Sequence, residues 1–223
     1  KFGEETVLDH VSFQFERGKI YGIIGRNGSG KTVLFKTIIG FLKPDSGRVV
    51  VEGKEIGWDQ DFAGNIGIII ETPGFLSAFN GYKNLEYLAG IKKIIGKEEI
   101  RESMRRVGLE PDSRKKVGKY SLGMRQRLGI AIALAGDPDF LVLDEPVNGL
   151  DPQGIIEMRE LILKLNRERQ ITVLISSHIL DELSRLATHY GFIDRGHMVK
   201  EISAPELEAA CRKCVRAEVS DIA

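Results

Sequence analysis

The sequence predicts an α/β fold: a mostly parallel sheet covered by helices on both faces. Three observations carry that expectation. Apolar runs with the length of buried strands recur at positions 20–24, 66–70, 140–143, 171–175 and 190–193. Segments with apolar residues at helical spacing lie between them. A glycine-rich turn, Gly25 to Gly30, follows the first of these runs and leads into a helical pattern.

Taken in order, period-two alternation at Val7, Val11, Phe13 and Phe15 predicts an antiparallel strand near the start. Ile20, Tyr21, Gly22, Ile23 and Ile24 form a buried strand that runs into the glycine turn. Val33, Leu34, Ile38 and Ile39 then recur at helical spacing, with Gly40 as the stop. The residues Lys43-Pro44-Asp45-Ser46-Gly47 are turn chemistry, and a strand over 48–51 follows. The strand at 66–70 is broken by Thr72-Pro73-Gly74. From about 84 to 135 the pattern is helical, which predicts an inserted α-helical subdomain of about 81–135 between core segments 1–80 and 136–223 of a single domain. A further amphipathic helix covers 155–169, with Ile156, Leu161, Leu163 and Leu165 as its apolar positions.

The totals narrow the function classes. The 223 residues suffice for one sizeable α/β domain, and 42% hydrophobic with 29% charged residues is ordinary for a globular chain. Lys+Arg and Asp+Glu both number 32, so there is no broad basic face for nucleic acid. The two cysteines, Cys211 and Cys214, fit a reducing compartment, and one Cys-x-x-Cys without two further ligands reads as exposed helix cysteines. No apolar run approaches the roughly 20 residues that span a bilayer, so any membrane role is borrowed from a partner. The chain lacks a signal peptide and starts at Lys1, which points to a fragment or processed form.

Gly25-Arg26-Asn27-Gly28-Ser29-Gly30-Lys31-Thr32 has the pattern G-x-x-x-x-G-K-T between a strand and a helix, the context in which it cradles phosphates. Gly28 and Gly30 allow the tight fold that aims successive N–H groups at phosphate oxygens. The helix start adds the positive end of its dipole. Lys31 supplies charge to the terminal phosphates, and the Thr32 hydroxyl suits Mg²⁺. Hydrolysis further needs a metal-holding carboxylate and a group that activates water. The run at 140–143 ends in Asp144 and Glu145: the first would hold Mg²⁺ directly or through water, and the second would polarise the attacking water. Such an acidic strand end also caps a following helix in other settings. His178, after Ser176 and Ser177 at another strand end, can donate to a γ-phosphate oxygen.

Together these residues resemble the nucleotide-binding subunit of ATP-binding cassette transporters. The narrowing motif is Tyr120-Ser121-Leu122-Gly123-Met124-Arg125-Gln126-Arg127-Leu128, similar to the family's Leu-Ser-Gly-Gly-Gln signature at Ser121 and Gly123. Val147-Asn148-Gly149-Leu150-Asp151-Pro152 looks like the loop after the catalytic acid, and Ser176-Ser177-His178 like the histidine switch. The resemblance spans essentially the whole chain. It implies a P-loop NTPase with a mostly parallel RecA-like sheet, an N-terminal antiparallel β portion and the inserted helical subdomain. It also implies an ATP- and Mg²⁺-dependent ATPase with Glu145 and His178 as catalytic residues. Phe2 falls where the family stacks an aromatic on adenine, Val33 contributes a backbone N–H to phosphate, and Glu71 stands where a glutamine contacts Mg²⁺ and water. Ser121 and Gly123 would bind ATP held by a second nucleotide-binding subunit, in a homodimer or heterodimer, although Ser121 also reads as a plain helix cap. A separate transmembrane permease would complete the assembly at the cytoplasmic face of the membrane, docking near Phe75, Leu76 and Phe79.

Three departures from the family pattern stand out. Glu71 replaces the glutamine, Val33 replaces a hydroxyl residue, and Leu122 replaces a glycine. The short span and the run from Ser121 to Arg127 look most like bacterial export cassettes, of the kind that handle bacitracin, lantibiotics or drugs. A soluble cassette ATPase working on nucleic acid is the second reading, disfavoured because the chain carries no basic tract and no heptad run. A module that signals without hydrolysis is disfavoured by the intact Glu145.

Overall fold

The first strand, β1 (Ile20–Ile24), is buried along its whole length, which requires neighbours on both edges and layers on both faces. In the computed structural model, which describes residues 5–71, 74–92 and 96–211, it has them. The remaining elements are α1 (Lys31–Ile38), β2 (Val50–Val51), β3 (Lys54–Glu55), β4 (Ile66–Ile69), α2 (Gly81–Lys92), α3 (Lys97–Arg106), α4 (Leu122–Leu134), β5 (Phe140–Leu143), α5 (Pro152–Arg169), β6 (Thr172–Ser177), α6 (Leu180–Leu183), β7 (His189–Asp194), β8 (His197–Ser203) and α7 (Ala204–Ala210). The main sheet has the order β4-β5-β6-β1-β7-β8. All its neighbours are parallel except β7 and β8, which pair antiparallel. A two-residue antiparallel pair, β2 with β3, stands apart.

Side-chain parity along the strands sorts the apolar residues into two cores, as the pleat demands. Leu141 and Leu143 of β5, Val173 and Ile175 of β6, and Ile20 and Ile24 of β1 pack on one face, with Leu128 and Ile130 of α4 and Met158, Ile162 and Leu165 of α5. Val142, Leu174, Tyr21 and Ile23 point to the other face, where Leu34, Phe35 and Ile38 of α1 cover them. Residues of even number on β5 and β6 therefore face α1. That parity decides where the chemistry of the next residues lands.

Several boundaries differ from the sequence reading. The alternation at Val7 to Phe15 does not form a strand; that segment is irregular among the described residues. Its periodicity is real as packing, because Phe13 and Phe15 lie edge-on to Tyr21 at 5.7 and 5.0 Å, and Phe15 also meets Phe140 at 5.7 Å. The main chain is tied to the core by a side chain instead, with the Glu16 N–H donating to the Tyr21 hydroxyl at 2.7 Å. The antiparallel character sits in β2, β3 and the edge strand β8. The strand expected over 48–51 is reduced to Val50–Val51. The helical stretch resolves into α2, α3, α4 and a 3₁₀ turn at Val117–Lys119. On α5 the buried positions are Met158, Leu161, Ile162 and Leu165, while Ile156 is exposed. Phe75 packs against the core rather than standing out, and Leu76 and Phe79 remain exposed. Cys211 is exposed at the end of α7 as expected; Cys214 and Phe2 lie outside the described residues.

Candidate nucleotide site

The carboxyl ends of β1, β5 and β6 carry the candidate residues on adjacent strands, where open α/β sheets bind ligands. Gly25 follows β1 directly, and its backbone passes so close to β7 that a Cβ there would lie 2.4 Å from the Ile193 carbonyl oxygen. Gly30 has φ 104°, a left-handed conformation, and it forms the N-cap of α1 with no side-chain hydrogen bond to the first turn. The first N–H groups of α1 therefore remain available to an anion. Ser29 is buried, and its Oγ lacks a hydrogen-bond partner among the described residues.

Lys31 is only 5% exposed. Its ammonium donates to the Gly25 carbonyl at 2.7 Å and the Arg26 carbonyl at 3.1 Å, and it lies 3.2 Å from Glu145 Oε1. The Thr32 hydroxyl donates to Asp144 Oδ2 at 2.7 Å, so the two expected metal-binding groups meet across α1 and β5. Asp144 is also held by Ser176 and by its own N–H, which donates to the Ile69 carbonyl at 2.8 Å. Glu145 has φ 47°, unusual for a residue with a side chain. Its carboxylate lies 3.4 Å from His178 Nδ1 and accepts from Asn148 Nδ2 at 3.2 Å.

Asn27, Gly28, Gly30, Lys31, Thr32, Val33, Glu71, Asp144 and Glu145 line one cavity of about 550 Å³, together with Val7, Leu122, Gln126 and Asn148. This volume suits a cofactor-sized ligand. The residue set also fits a nucleotide with Mg²⁺. A buried lysine, a helix start without a cap and an orphaned Ser29 hydroxyl suit phosphate oxygens. Thr32 and Asp144 offer the few oxygen ligands that Mg²⁺ takes from protein when phosphates and water complete its shell. Among the described residues no cluster of three or more histidine, cysteine or acidic side chains forms an all-protein metal cage.

The remaining candidates are held differently. Glu71 is 69% exposed with φ 64°, and its carboxylate pairs with Lys36 Nζ at 2.9 Å. Gly25, Arg26, Ser29 and His178 border the cavity residues in sequence or contact without lining it themselves. Ser121 is exposed and caps α4, accepting from the Met124 N–H at 3.2 Å. Neither Ser121 nor Gly123 lines the cavity; Leu122, between them, does, and it lies against Gly149. Sequence reasoning gave no separate role to Lys36, Gln126, Asn148 or Ser176. Parity offered a signal for the last. The β5–β6 pairing Leu143↔Ile175, extended by one residue, sets Asp144 opposite Ser176 on the α1 face.

With that geometry in place, the comparisons decide the family. Residues 8–148 match the ABC transporter family model. The chain belongs to the ABC transporter family. It is similar to the bacitracin transport ATP-binding protein BcrA of Bacillus licheniformis, at 43% identity over 99% of this chain and 72% of that protein. It is also similar to the lantibiotic transport ATP-binding protein SrtF of Streptococcus pyogenes, at 40% identity over 90% of this chain and 86% of that one. Among solved structures it resembles cbiO1 from Clostridium perfringens, part of the ABC transporter complex cbiONQ. The TM-score is 0.81 at 28% identity, covering 91% of this chain and 84% of that one. The cassette is an ATP-binding ATPase subunit of an ABC transporter. No described helix is long and apolar enough to cross a membrane.

Proposed function

We propose that this cassette hydrolyses ATP at Glu145 within a head-to-tail dimer, and that the dimer drives export through a separate membrane permease. The observation that carries the dimer is the position of Ser121. It starts a thirteen-residue helix, is exposed, and stands outside the cavity of its own chain. Ser121 caps only the Met124 N–H, and the N–H groups of the first two helical residues have no partner within the helix, which makes an anion site for phosphate supplied by a second copy. The helical portion of about 81–135 then acts as the subdomain that presents Ser121 and Gly123.

In this reading Gly25 to Val33 and Lys31 grip the phosphates, and Thr32 and Asp144 hold Mg²⁺. Mg²⁺ held there would offset the negative charge of the phosphates. Glu145 accepts a proton from the attacking water, and His178, beside it, donates to a phosphate oxygen. Glu71, which lines the same cavity but is exposed and paired with Lys36, would add a weaker contact to Mg²⁺. Phe2 would stack on adenine. Exposed Leu76 and Phe79 form the docking surface for a permease at the cytoplasmic face of the membrane. The names of BcrA and SrtF support a peptide antibiotic as cargo.

Light scattering on the Glu145→Gln variant tests the dimer. The expected result is a monomer without nucleotide and a dimer with ATP and Mg²⁺. Adding Ser121→Arg should leave ATP binding intact and return the protein to monomer. A monomer at saturating ATP, or dimers unaffected by Ser121→Arg, would overturn the reading.

A further inference from the structure

We infer that Ser176 is a positioning residue for hydrolysis, its one buried hydroxyl joining the Asp144 carboxylate to the left-handed backbone of Glu145. The inference rests on the roles proposed above for those two acids. Ser176 is the penultimate residue of β6 and is fully buried, at 0% exposure. Its Oγ donates to Asp144 Oδ1 at 2.5 Å and accepts from the Glu145 N–H at 2.8 Å. A hydroxyl has one proton to give. Because the Glu145 N–H can only donate, the arrangement is consistent in one sense alone, with the Ser176 O–H directed at Asp144.

Two consequences follow for the acids. The other oxygen of Asp144 accepts from Thr32 at 2.7 Å, so the carboxylate is gripped by hydroxyls from α1 and β6 and its plane is set. Glu145 leaves the strand direction at φ 47°, a conformation that persists only where the surroundings hold it. The hydrogen bond from its N–H to Ser176 is one such hold. It turns the Glu145 side chain away from the parity of β5 and toward Lys31, Asn148 and His178. A hydrocarbon at position 176 would leave an N–H and a carboxylate oxygen without that partner beside the reacting groups. Ser176 touches neither nucleotide nor water in this account; it acts through its neighbours.

Steady-state ATP hydrolysis by the full chain and its Ser176→Ala, Ser176→Val, Ser176→Thr and Glu145→Gln variants tests the inference. Loss of an outer-shell partner costs about 10–100-fold. The expected result is a fall of that size in kcat for Ser176→Ala and Ser176→Val, with KM for ATP little changed. Ser176→Thr, nearly isosteric with Val but bearing the hydroxyl, should recover most of the rate, and this pair keeps the test sound if the Ala variant folds poorly. Equal rates for the Val and Thr variants, or a loss confined to KM, would overturn the positioning role. Wild-type turnover by Glu145→Gln would remove the underlying assignment and the inference with it. A dead Glu145→Gln beside a fully active Ser176→Val would sink this inference alone.

Discussion

Strands β4 and β5 lie side by side, paired Ile69 with Leu143, and each is followed within two residues by an acid. The two ends could hardly be treated more differently. Past β5, Asp144 accepts from Thr32 and Ser176, and Glu145 is 21% exposed among Lys31, His178 and Asn148. Past β4, Glu71 is 69% exposed and meets Lys36 on the turn of α1 after Thr32. Both lie on one cavity. The difference teaches that residue type and strand-end position nominate a carboxylate, whereas the number and burial of its partners assign its strength of effect. A held carboxylate keeps one geometry through turnover; an exposed one samples many and is screened by water.

That contrast can be broken by substitution. The largest effect is expected for Asp144→Asn. Its ATP turnover should fall by on the order of a hundredfold or more, since outer-shell partners alone cost about 10–100-fold. Raising Mg²⁺ should recover part of it. Next comes Lys31→Ala, which removes charge-assisted hydrogen bonds worth about 1.5–3 kcal/mol and so should weaken ATP binding about ten- to a hundredfold in calorimetry. Glu71→Gln should do far less: at low Mg²⁺ ATP affinity should rise by no more than about fivefold, the range of an exposed charge interaction near 1 kcal/mol. A flat difference across a Mg²⁺ titration would remove Glu71 from the metal's surroundings. Smallest of all is Lys36→Met. It frees the Glu71 charge, so affinity at low Mg²⁺ should drop by a factor of about two, and an exposed pair of this kind moves Tm little. If Lys36→Met outweighed Lys31→Ala, the contrast between the two strand ends would collapse.

Much of this was legible in the sequence because local chemistry and fold agree. The buried runs became β1, β4, β5, β6 and β7 within a residue or two, since a strand covered on both faces must be apolar throughout. The glycine loop was legible because its spacing is itself the structure: Gly25 and Gly30 are where close approach and positive φ require glycine. The segment 7–15 misled because burial every second residue needs only a sheet to lie on, not a strand to pair with. On α5 the expected Leu161 and Leu165 are buried, but Met158 and Ile162 complete the stripe in place of Ile156 and Leu163, because helical spacing alone leaves the edges of the stripe open. Ser176 was quoted only as part of a motif, because its role depends on which strand lies beside β5, and strand order is not written in local pattern. Lys36 escaped for the same reason, since its partner Glu71 comes near only once the chain after β4 folds over the sheet end, whereas Asn148, three residues from Glu145, was quoted only as part of the loop after the acid.

The central claim is that the acids beyond β5 carry hydrolysis while the acid beyond β4 tunes it. Phosphate release measured side by side for Glu145→Gln and Glu71→Gln, at saturating ATP and Mg²⁺, tests it most directly. A positioned general base contributes about 10²–10⁴-fold, so Glu145→Gln should lose at least about a hundredfold while Glu71→Gln stays within a few-fold of the parent. Comparable losses in the two variants, or the larger loss in Glu71→Gln, would contradict the account.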